Sequence, residues 1–317
     1  MADAHHYRAG SNLFGRASIS SEETTSDLIP FQFGPLSETV TDLDTITEIK
    51  RPTAADEIIQ WRDGYAWLAG GTWLFSEPQV ATDTLIDLYQ LDWPALQTSE
   101  AGIEIAATCR IAELFRFAAA AEWRAMPLVR ECCNAFLASF KIWNAATVGG
   151  NICMSLPAGP MISLTVALEA RYTLYPRDAP PHQVQAVDFV AGNHTNILGP
   201  GELLRSIYLP ASALAKRFAF RHASLTRLGR SAALIIGTQV AGEGDLLLTI
   251  TAATPRPIQL RFEHVPSASE LRREIDARIP ADGYFHDVHG SAAYKRQLTH
   301  HLAEQIRTEL SEPEARA

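Results

Sequence analysis

Short runs of apolar residues along the first two-thirds of the chain predict strands and helices in mixed order. Residues 102–109 alternate apolar and polar positions, which is typical of a strand that is buried on one face. Residues 161–170 form an almost continuous apolar segment that suits a buried helix. The other predicted strands cover residues 46–50, 65–69, 85–88, 171–175 and 203–209, and the other predicted helices cover residues 53–61, 111–121 and 128–139.

After Pro210 the pattern changes to successive strands followed by helices. The predicted strands cover residues 217–223, 232–240 and 246–253, and the predicted helices cover residues 269–279 and 292–310. This order indicates an α+β domain that packs beside the first one. We therefore expect an N-terminal arm over residues 1–45, a first domain over residues 46–212 and a smaller α+β domain over residues 213–317.

Two Gly-Gly pairs, Gly70-Gly71 and Gly149-Gly150, carry the candidate chemistry. Each ends a short apolar, β-prone segment and has a threonine close by, so both are predicted as turns. Glycine lets another molecule approach the backbone closely, and successive amide N–H groups in such a turn can accept a phosphate. A lone pair is more often a simple turn, but two related loops favour a diphosphate that is held from two sides. The chain contains no Gly-x-Gly-x-x-Gly and no Walker lysine, which argues against a nicotinamide or ATP site.

Charge and composition narrow the class of protein. The net charge is −9, which argues against non-specific binding to nucleic acid or to anionic membranes. No run of eighteen apolar residues occurs, so no membrane span is expected. The N-terminus has neither a secretory nor a twin-arginine pattern, and we expect the protein to be cytoplasmic.

The four cysteines do not predict a metal centre. Cys109, Cys132, Cys133 and Cys153 contain no C-x-x-C pair, and their spacing fits no ferredoxin or zinc site. The histidines give no complete ligand set either, so we assign no metal ligand. Any iron–sulfur cluster that this protein serves should therefore lie on another polypeptide.

Five stretches of the sequence together resemble one known family. Residues 68–74 and 146–152, which contain the glycine pairs, are similar to the two FAD-binding loops of the flavin-carrying medium subunit of the xanthine dehydrogenase and carbon monoxide dehydrogenase family. Residues 199–207, 254–257 and 290–296 resemble later landmarks of the same subunit, in the same order. The resemblance implies an α+β fold with a two-part FAD-binding domain of the PCMH/vanillyl-alcohol-oxidase type, followed by the smaller C-terminal domain.

The resemblance also implies which residues bind FAD. Backbone amides around the two glycine pairs would hold the pyrophosphate, and the neighbouring polar side chains would add hydrogen bonds. No residue is assigned a catalytic role, because the redox chemistry belongs to the cofactor. His222, on a strand that the family places near the flavin, is a possible neighbour of the ring. The implied cofactor-binding residues are Ala69, Gly70, Gly71, Thr72, Trp73, Leu74, Thr147, Val148, Gly149, Gly150, Asn151, Ser155 and Leu198.

The sequence departs from the family pattern at several positions. The family's first loop usually continues with an aspartate, and Trp73 stands there in this chain. After the second loop, Met154, Leu156 and Pro160 occupy positions where hydrogen-bonding groups are expected. Ser155 is the one residue that could replace a lost contact. The phosphate-binding loops are therefore kept, while the expected contacts to the ribityl chain and the ring are changed.

The resemblance implies an FAD-binding electron-transfer subunit of a molybdenum hydroxylase complex. Its expected partners are a molybdopterin-binding large subunit and a 2Fe-2S small subunit in a hetero-oligomer, with electrons passing from the iron–sulfur subunit to the flavin and then to an external acceptor. Two alternatives stay open. The chain could be a self-sufficient flavoprotein oxidase, or a flavin-free structural subunit of the same complex.

Overall fold

The computed structural model describes residues 43–54, 57, 61–118 and 122–312, which contain both helices and sheets. The predicted N-terminal arm lies outside the described residues except for its last three. The strands are, in chain order, β1 (Glu48–Lys50), β2 (Tyr65–Leu68), β3 (Thr84–Asp87), β4 (Leu96–Ser99), β5 (Gly102–Ala106), β6 (Arg171–Tyr175), β7 (His182–Gln185), β8 (Val190–Gly192), β9 (Thr195–Asn196), β10 (Leu203–Pro210), β11 (Arg217–Ala223), β12 (Ala233–Gln239), β13 (Leu246–Thr251) and β14 (Ile258–Phe262).

The helices alternate with these strands, mainly in the middle of the chain and at its end. They are α1 (Ile111–Arg116), α2 (Met126–Ala135), α3 (Phe140–Trp143), α4 (Val148–Cys153), α5 (Pro160–Ala167), α6 (Ala186–Phe189), α7 (Ala211–Leu214), α8 (Ala268–Arg278) and α9 (Ala292–Ser311). Short 3-10 helices cover Leu74–Ser76, Leu88–Leu91 and Ala281–Gly283. No helix in the described ranges is long and apolar enough to cross a membrane.

A small parallel sheet carries the first glycine pair. Its strand order is β1-β3-β2, and both outer strands run parallel to β3. The first glycine loop leaves the carboxyl end of β2 and leads into the 3-10 helix Leu74–Ser76. The strands of this sheet were predicted within one or two residues of their observed bounds. β2 and β3 are short apolar runs, whereas β1 is the mainly exposed segment Glu-Ile-Lys shortly before Pro52.

A larger sheet of order β4-β5-β10-β6-β7 forms the centre of the first part of the chain, with antiparallel pairing throughout. Helices α2, α4 and α5 pack against it in a single hydrophobic core. Every residue of α5 is buried, which agrees with the almost continuous apolar run in the sequence. The core therefore fixes the end of β5 and the start of α4, where the second glycine pair lies.

The C-terminal part forms a four-stranded antiparallel sheet of order β11-β12-β13-β14, covered by α8 and α9. Its own hydrophobic core lies between the sheet and these helices. The other face of the sheet contacts α5, where Ser163 and Thr251 share a hydrogen bond of 2.7 Å between their hydroxyls. The division of the chain at residues 212–213 stays a prediction, since the two parts are joined through this buried contact.

Two local predictions need correction. The helix predicted over residues 111–121 ends at Arg116, where Phe117 turns to extended backbone, and residues 119–121 lie outside the described part. The helix predicted over residues 128–139 ends at Ala135, and a separate short helix begins at Phe140. The helix predicted over residues 53–61 stays a prediction, since residues 55, 56 and 58–60 lie outside the described part.

Candidate functional site

A cavity of about 920 Å³ opens between the two glycine loops and the C-terminal part of the chain. The first loop, residues 69–74, forms one wall, and the start of α4 forms another. Residues 135–138 and 156–160 continue the wall on the side of the first domain. The C-terminal part closes the cavity with two segments, around residues 228–230 and 285–289. The cavity therefore brings together both sequence motifs and residues that are far from them in the chain.

The first glycine loop is tightly packed but leaves amide groups unused. A Cβ atom on Gly70 would lie 2.0 Å from the carbonyl oxygen of Ala145, so this residue allows the loop to rest on the segment before α4. Gly71 has a positive φ of 68°, a backbone conformation that favours glycine. Among the described residues, nothing accepts a hydrogen bond from the amide N–H groups of Gly70, Gly71 and Thr72. These groups are available to a ligand in the cavity.

The second glycine loop differs, and its prediction as a turn was wrong. Gly149 and Gly150 lie in the first turn of α4, with Thr147 as the N-cap residue. The Gly149 N–H donates to the carbonyl oxygen of Ala107 at 2.9 Å, and the Gly150 N–H donates to the Thr147 hydroxyl at 3.0 Å. The Val148 N–H donates to the carbonyl oxygen of Cys109 at 2.8 Å. Three amides that were expected to face a phosphate are thus committed within the protein.

Tertiary bonds explain why a helix begins at a Gly-Gly pair. Glycine disfavours helix interiors, and this feature supported the prediction of a turn. A Cβ atom on Gly149 would meet three atoms of Ala107 at 2.5–2.7 Å, so only glycine lets the helix start lie directly against the end of β5. The Thr147 cap then satisfies one of the free amides of the first turn.

The structure brings nine of the thirteen sequence-predicted residues to the cavity wall: Ala69, Gly70, Gly71, Thr72, Trp73, Leu74, Thr147, Gly150 and Asn151. The remaining four lie outside the wall. Val148 and Gly149 are buried against the core, and Leu198 is half-buried on a neighbouring loop. Ser155 is fully buried, where its hydroxyl donates to the carbonyl oxygen of Ile152 at 3.2 Å and accepts from the Asn196 amide at 3.2 Å.

Ser155 therefore does not take the place of a lost ligand contact. Its positive φ of 52° and its buried hydrogen bonds shape the turn after α4 instead. Met154, Leu156 and Pro160, which stand where the family has hydrogen-bonding groups, all line the cavity. This side of the cavity is consequently apolar.

Asn151 ties two helices together at the cavity wall. Its side-chain oxygen accepts a hydrogen bond of 3.1 Å from the amide of Met161, in the first turn of α5. The side-chain NH2 group has no partner among the described residues and can donate to a ligand. Asn151 thus links two helices and still offers a hydrogen-bond donor to the cavity.

The cofactor-binding residues predicted from the sequence included none from the C-terminal part of the chain, although this part contributes to the cavity wall. Arg230 lies on the loop between β11 and β12, and Asp287 and His289 lie on the turn before α9. The sequence did offer one signal for it, because the loop between the strands predicted over residues 217–223 and 232–240 contains two arginines, Arg227 and Arg230. His222, in contrast, is exposed, stacks on Phe220 at 5.6 Å between ring centroids and does not line the cavity.

A buried ion pair supports the turn that bears Asp287 and His289. The Lys295 side chain is fully buried, and its ammonium nitrogen lies 2.9 Å from the Asp287 carboxylate and 3.2 Å from the Ala252 carbonyl oxygen. The same carboxylate accepts the His289 amide at 2.8 Å. Because a buried charge needs a partner, Lys295 fixes this part of the cavity wall and compensates the charge of Asp287.

The cavity offers little nucleophilic chemistry of its own. Burial raises the pKa of the Cys153 thiol to about 12, so this cavity-lining cysteine stays protonated at neutral pH. No cluster of three metal-ligating side chains occurs in the part of the chain that the structure describes. The wall instead combines free backbone amides, an apolar surface and one arginine, which suits the binding of a large, partly anionic molecule.

Comparison with known proteins decides the class of that molecule. Residues 43–212 match the model of the FAD-binding domain in molybdopterin dehydrogenases, which covers more than half of the chain. The chain belongs to this family. Its cofactor is FAD, and the family resemblance inferred from the sequence is confirmed.

Curated relatives match over a limited stretch. Xanthine dehydrogenase 2 of Arabidopsis thaliana is 29% identical over 122 residues, which is 37% of this chain and 9% of that enzyme. The xanthine dehydrogenase of Oryza sativa subsp. japonica is 32% identical over 126 residues, again 9% of its length. The matched segment is thus a small part of those enzymes.

Solved structures share the fold over most of the chain. A carbon monoxide dehydrogenase from Hydrogenophaga pseudoflava, in a form that lacks the Mo-pyranopterin moiety of its cofactor, superimposes with a TM-score of 0.71 at 20% identity, covering 83% of this chain and 96% of the matched one. Quinoline 2-oxidoreductase from Pseudomonas putida 86 gives 0.69 at 17% identity, with the same coverage. The predicted α+β fold of an FAD-binding domain followed by a smaller α+β part is confirmed.

The residues present fit FAD. The cavity volume lies near the upper end of the range of about 300–1,000 Å³ for small-molecule sites. The free amides of Gly70, Gly71 and Thr72 can bind the diphosphate, and the apolar side around Met154 and Leu156 can contact a flat aromatic ring. A side chain at Gly150 would meet only the Thr147 hydroxyl before it entered the cavity.

Proposed function

We propose that this chain is the FAD-binding electron-transfer subunit of a molybdenum hydroxylase complex. The observation that carries the proposal is the cavity in which the first glycine loop presents free amides across from an apolar wall. The flavin, when bound, supplies the one- and two-electron chemistry that links an iron–sulfur centre to an external acceptor. The chain's own residues bind the cofactor, orient it and shield part of it from water.

The side chains of the cavity support a carrier role. The ionisable groups of the wall are Glu77, Arg230, Asp287 and His289, and Asp287 is compensated by the buried Lys295. Among the described residues, the His289 ring makes no hydrogen bond to a carboxylate of this set, and Asp287 accepts only the backbone amide of His289. A general acid–base pair of the kind that an independent oxidase would use therefore has no support here. Oxidation of substrate then belongs to a molybdopterin-binding partner, and electrons reach the flavin through a 2Fe-2S partner.

The first test is the cofactor itself. The purified full chain should bind FAD at a ratio of about one per chain and should release all yellow colour on acid precipitation, because neither glycine loop carries a histidine or cysteine for a covalent link. Colour that stays in the precipitate would contradict non-covalent binding. A protein that purifies without flavin and does not take up added FAD would overturn the proposal.

The second test separates the carrier from an oxidase. Co-expression with molybdopterin-binding and 2Fe-2S partner subunits should give one complex whose flavin bleaches when an aldehyde or heterocyclic substrate is added. The isolated, FAD-loaded chain should show no bleaching with the same substrates. Reduction of its flavin without partners would favour the oxidase.

A flavin-free structural subunit is the second candidate, because one specific feature favours it. Three amides of the second glycine loop are bonded within the protein, and Met154, Leu156 and Pro160 remove polar contacts from the wall. A native complex that is fully active and colourless in the flavin region would establish this role. The free amides of the first loop support the flavin carrier instead.

A further inference from the structure

We infer that Arg230 supplies the positive charge for the FAD diphosphate and that Trp73 holds Arg230 in place, an inference that rests on the FAD-binding role proposed above. Both residues line the cavity, although they come from different parts of the chain. Trp73 is on the first glycine loop, directly after the free amides. Arg230 is on the loop between β11 and β12. The inference explains why a tryptophan stands where the family usually has an acid.

The position of Arg230 is set by an aromatic contact. Its guanidinium carbon lies 5.5 Å from the centroid of the Trp73 ring, within the range of a cation–π interaction. The backbone at Trp73 is held in place, since its carbonyl oxygen accepts hydrogen bonds from the Ser76 amide at 2.9 Å and hydroxyl at 2.8 Å. On another side its ring lies 5.8 Å from the His194 ring. The arginine therefore rests on a preformed aromatic surface at the cavity.

The charge of Arg230 is available to a ligand. Among the described residues, no carboxylate forms an ion pair with it. It is also the one lysine or arginine among the described residues of the cavity wall. Of the wall's acids, Asp287 is paired with Lys295, and Glu77 is left as the opposing charge. A dianionic diphosphate in this cavity would find its cation in Arg230.

The replacement of the family's acid by Trp73 has a direct electrostatic consequence. A carboxylate at this position would bring a negative charge to the side of the cavity where the Arg230 guanidinium lies 5.5 Å from the present ring centroid. This negative charge would offset the positive charge that the ligand needs. The indole ring instead attracts the guanidinium and leaves its N–H groups free to donate to phosphate oxygens. The second glycine loop cannot make up for the lost charge, because its amides are already used.

The experiment compares two arginines on the same loop in the full-length chain. Arg230→Gln removes the charge at the cavity, and Arg227→Gln removes an exposed charge that does not line it. Binding of FAD and of ADP, which carries the diphosphate without the flavin, is measured by calorimetry at low and at high salt. We expect Arg230→Gln to weaken both ligands roughly tenfold at low salt, as for the loss of one charge-assisted hydrogen bond, and Arg227→Gln to have no effect. The difference should shrink in 0.5 M salt, because Arg230 is exposed enough for screening.

Substitutions of Trp73 test the second half of the inference. Trp73→Phe should keep most of the affinity. Trp73→Asp should lower it to about the level of Arg230→Gln, because the new carboxylate offsets the charge of Arg230. In the double variant this carboxylate is uncompensated, so the affinity should fall further than in either single variant. Circular dichroism shows whether each variant is folded.

The outcomes separate this inference from the proposed function. Equal FAD affinity in the two arginine variants would overturn the role of Arg230, although FAD binding by the wild type would still stand. A loss that affects FAD but not ADP would also overturn it, since the diphosphate would not be the group that Arg230 contacts. Wild-type protein that binds neither ligand would overturn the proposed function and this inference together.

Discussion

The two glycine loops look alike in the sequence and act differently in the structure. The first, at Gly70-Gly71, is a true loop with one positive φ and three amides that have no partner in the described part of the chain. The second, at Gly149-Gly150, begins a helix, and its amides are bonded to Ala107, Cys109 and Thr147. The same dipeptide thus makes a ligand-binding edge in one place and a packed wall in the other.

The difference teaches that glycine has two separate uses at a cofactor site. It allows close approach of a ligand to the backbone, and it allows close approach of one part of the backbone to another. A Cβ on Gly71 would lie 2.5 Å from the Phe75 ring and one on Gly150 would lie 2.8 Å from the Thr147 hydroxyl, so both meet side chains. On Gly70 and Gly149 a Cβ would meet backbone atoms of another segment. Within each pair, one glycine allows two backbone segments to touch and the other does not. Substitutions at these positions can separate the two uses.

The largest effect is expected for Gly70→Ala. The added Cβ would lie 2.0 Å from the Ala145 carbonyl oxygen, so the first loop must move away from the segment before α4. Overpacking against backbone costs about 3 kcal/mol in such cases, and we expect the free energy of unfolding to fall by about that amount, with loss of FAD binding. Urea denaturation measures the change. Gly199→Ala, where a Cβ has only one contact at 3.8 Å, is the matched control. Equal stability of the two variants would show that the loops are not packed as described.

The next effect concerns binding rather than stability. In Gly150→Val the new side chain meets only the Thr147 hydroxyl, at 2.8 Å, and then extends towards the cavity. We expect FAD affinity to fall about a hundredfold, which is about 2.7 kcal/mol. The free energy of unfolding should fall by only about 1 kcal/mol, because the new Cβ displaces the Thr147 hydroxyl from its cap position and meets nothing else. Flavin content and far-UV circular dichroism are measured together.

Gly244→Val serves as the control for that change, since nothing lies within 4 Å of a Cβ on Gly244 and the residue is exposed far along the chain. It should bind FAD like the wild type. Normal FAD content in a folded Gly150→Val variant would mean that the ligand does not approach the second loop. Of the two glycine loops, only the first would then contact the ligand.

Local patterns predicted the first loop and its surroundings well. Strands β2 and β3 are short apolar runs, and the unusual backbone of Gly71 agrees with the prediction of a turn. The second loop could not be predicted in the same way, because its helix depends on carbonyl groups of Ala107 and Cys109 that come from a different element. A helix start that is stabilised by tertiary contacts leaves no signal stronger than Thr147 at the cap position.

The C-terminal wall shows the same limit over a longer distance. Arg230 and His289 lie far along the chain from both loops, and only the packing of the second sheet on α5 brings them to the cavity. The resemblance to a known family supplied the cofactor and the fold, because ordered motifs survive across many sequences. The contacts of individual side chains did not follow from it, as the buried Ser155 shows.

The third expected effect is a loss of stability at alkaline pH. It tests the packing of Cys109, which lies after β5 and next to the second glycine loop. Burial raises the pKa of the Cys109 thiol to about 12, whereas a thiol in the unfolded chain ionises near pH 8.5. Between these values the folded state keeps a proton that the unfolded state has lost. The free energy of unfolding should therefore fall by about 1.4 kcal/mol per pH unit for this thiol, and should not respond to it below pH 8.

Comparison with Cys109→Ala isolates that contribution. Between pH 9 and pH 10, the free energy of unfolding should fall less steeply in the variant than in the wild type. The two slopes should differ by about 1.4 kcal/mol per pH unit, the contribution of one proton. Denaturation at pH 7 gives the reference, where the thiol is protonated in both states. Identical slopes would show that the end of β5 is open to water, and the packed character of the second loop would be in doubt.

The smallest effect is expected for Thr147→Val, which bears most directly on the difference between the loops. The substitution removes the hydroxyl that accepts the Gly150 amide at 3.0 Å while nearly keeping the side-chain volume. Loss of a helix cap costs about 1 kcal/mol of stability. If the second loop acts as a packed wall, FAD affinity should change by less than about threefold, since the ligand then takes few hydrogen bonds from this helix start. Thr147→Ser keeps the acceptor and should restore the stability. A large loss of FAD affinity at unchanged stability would instead show that the Thr147 hydroxyl, or the Gly150 amide that it positions, contacts the cofactor, and the two loops would be more alike than their hydrogen bonds indicate.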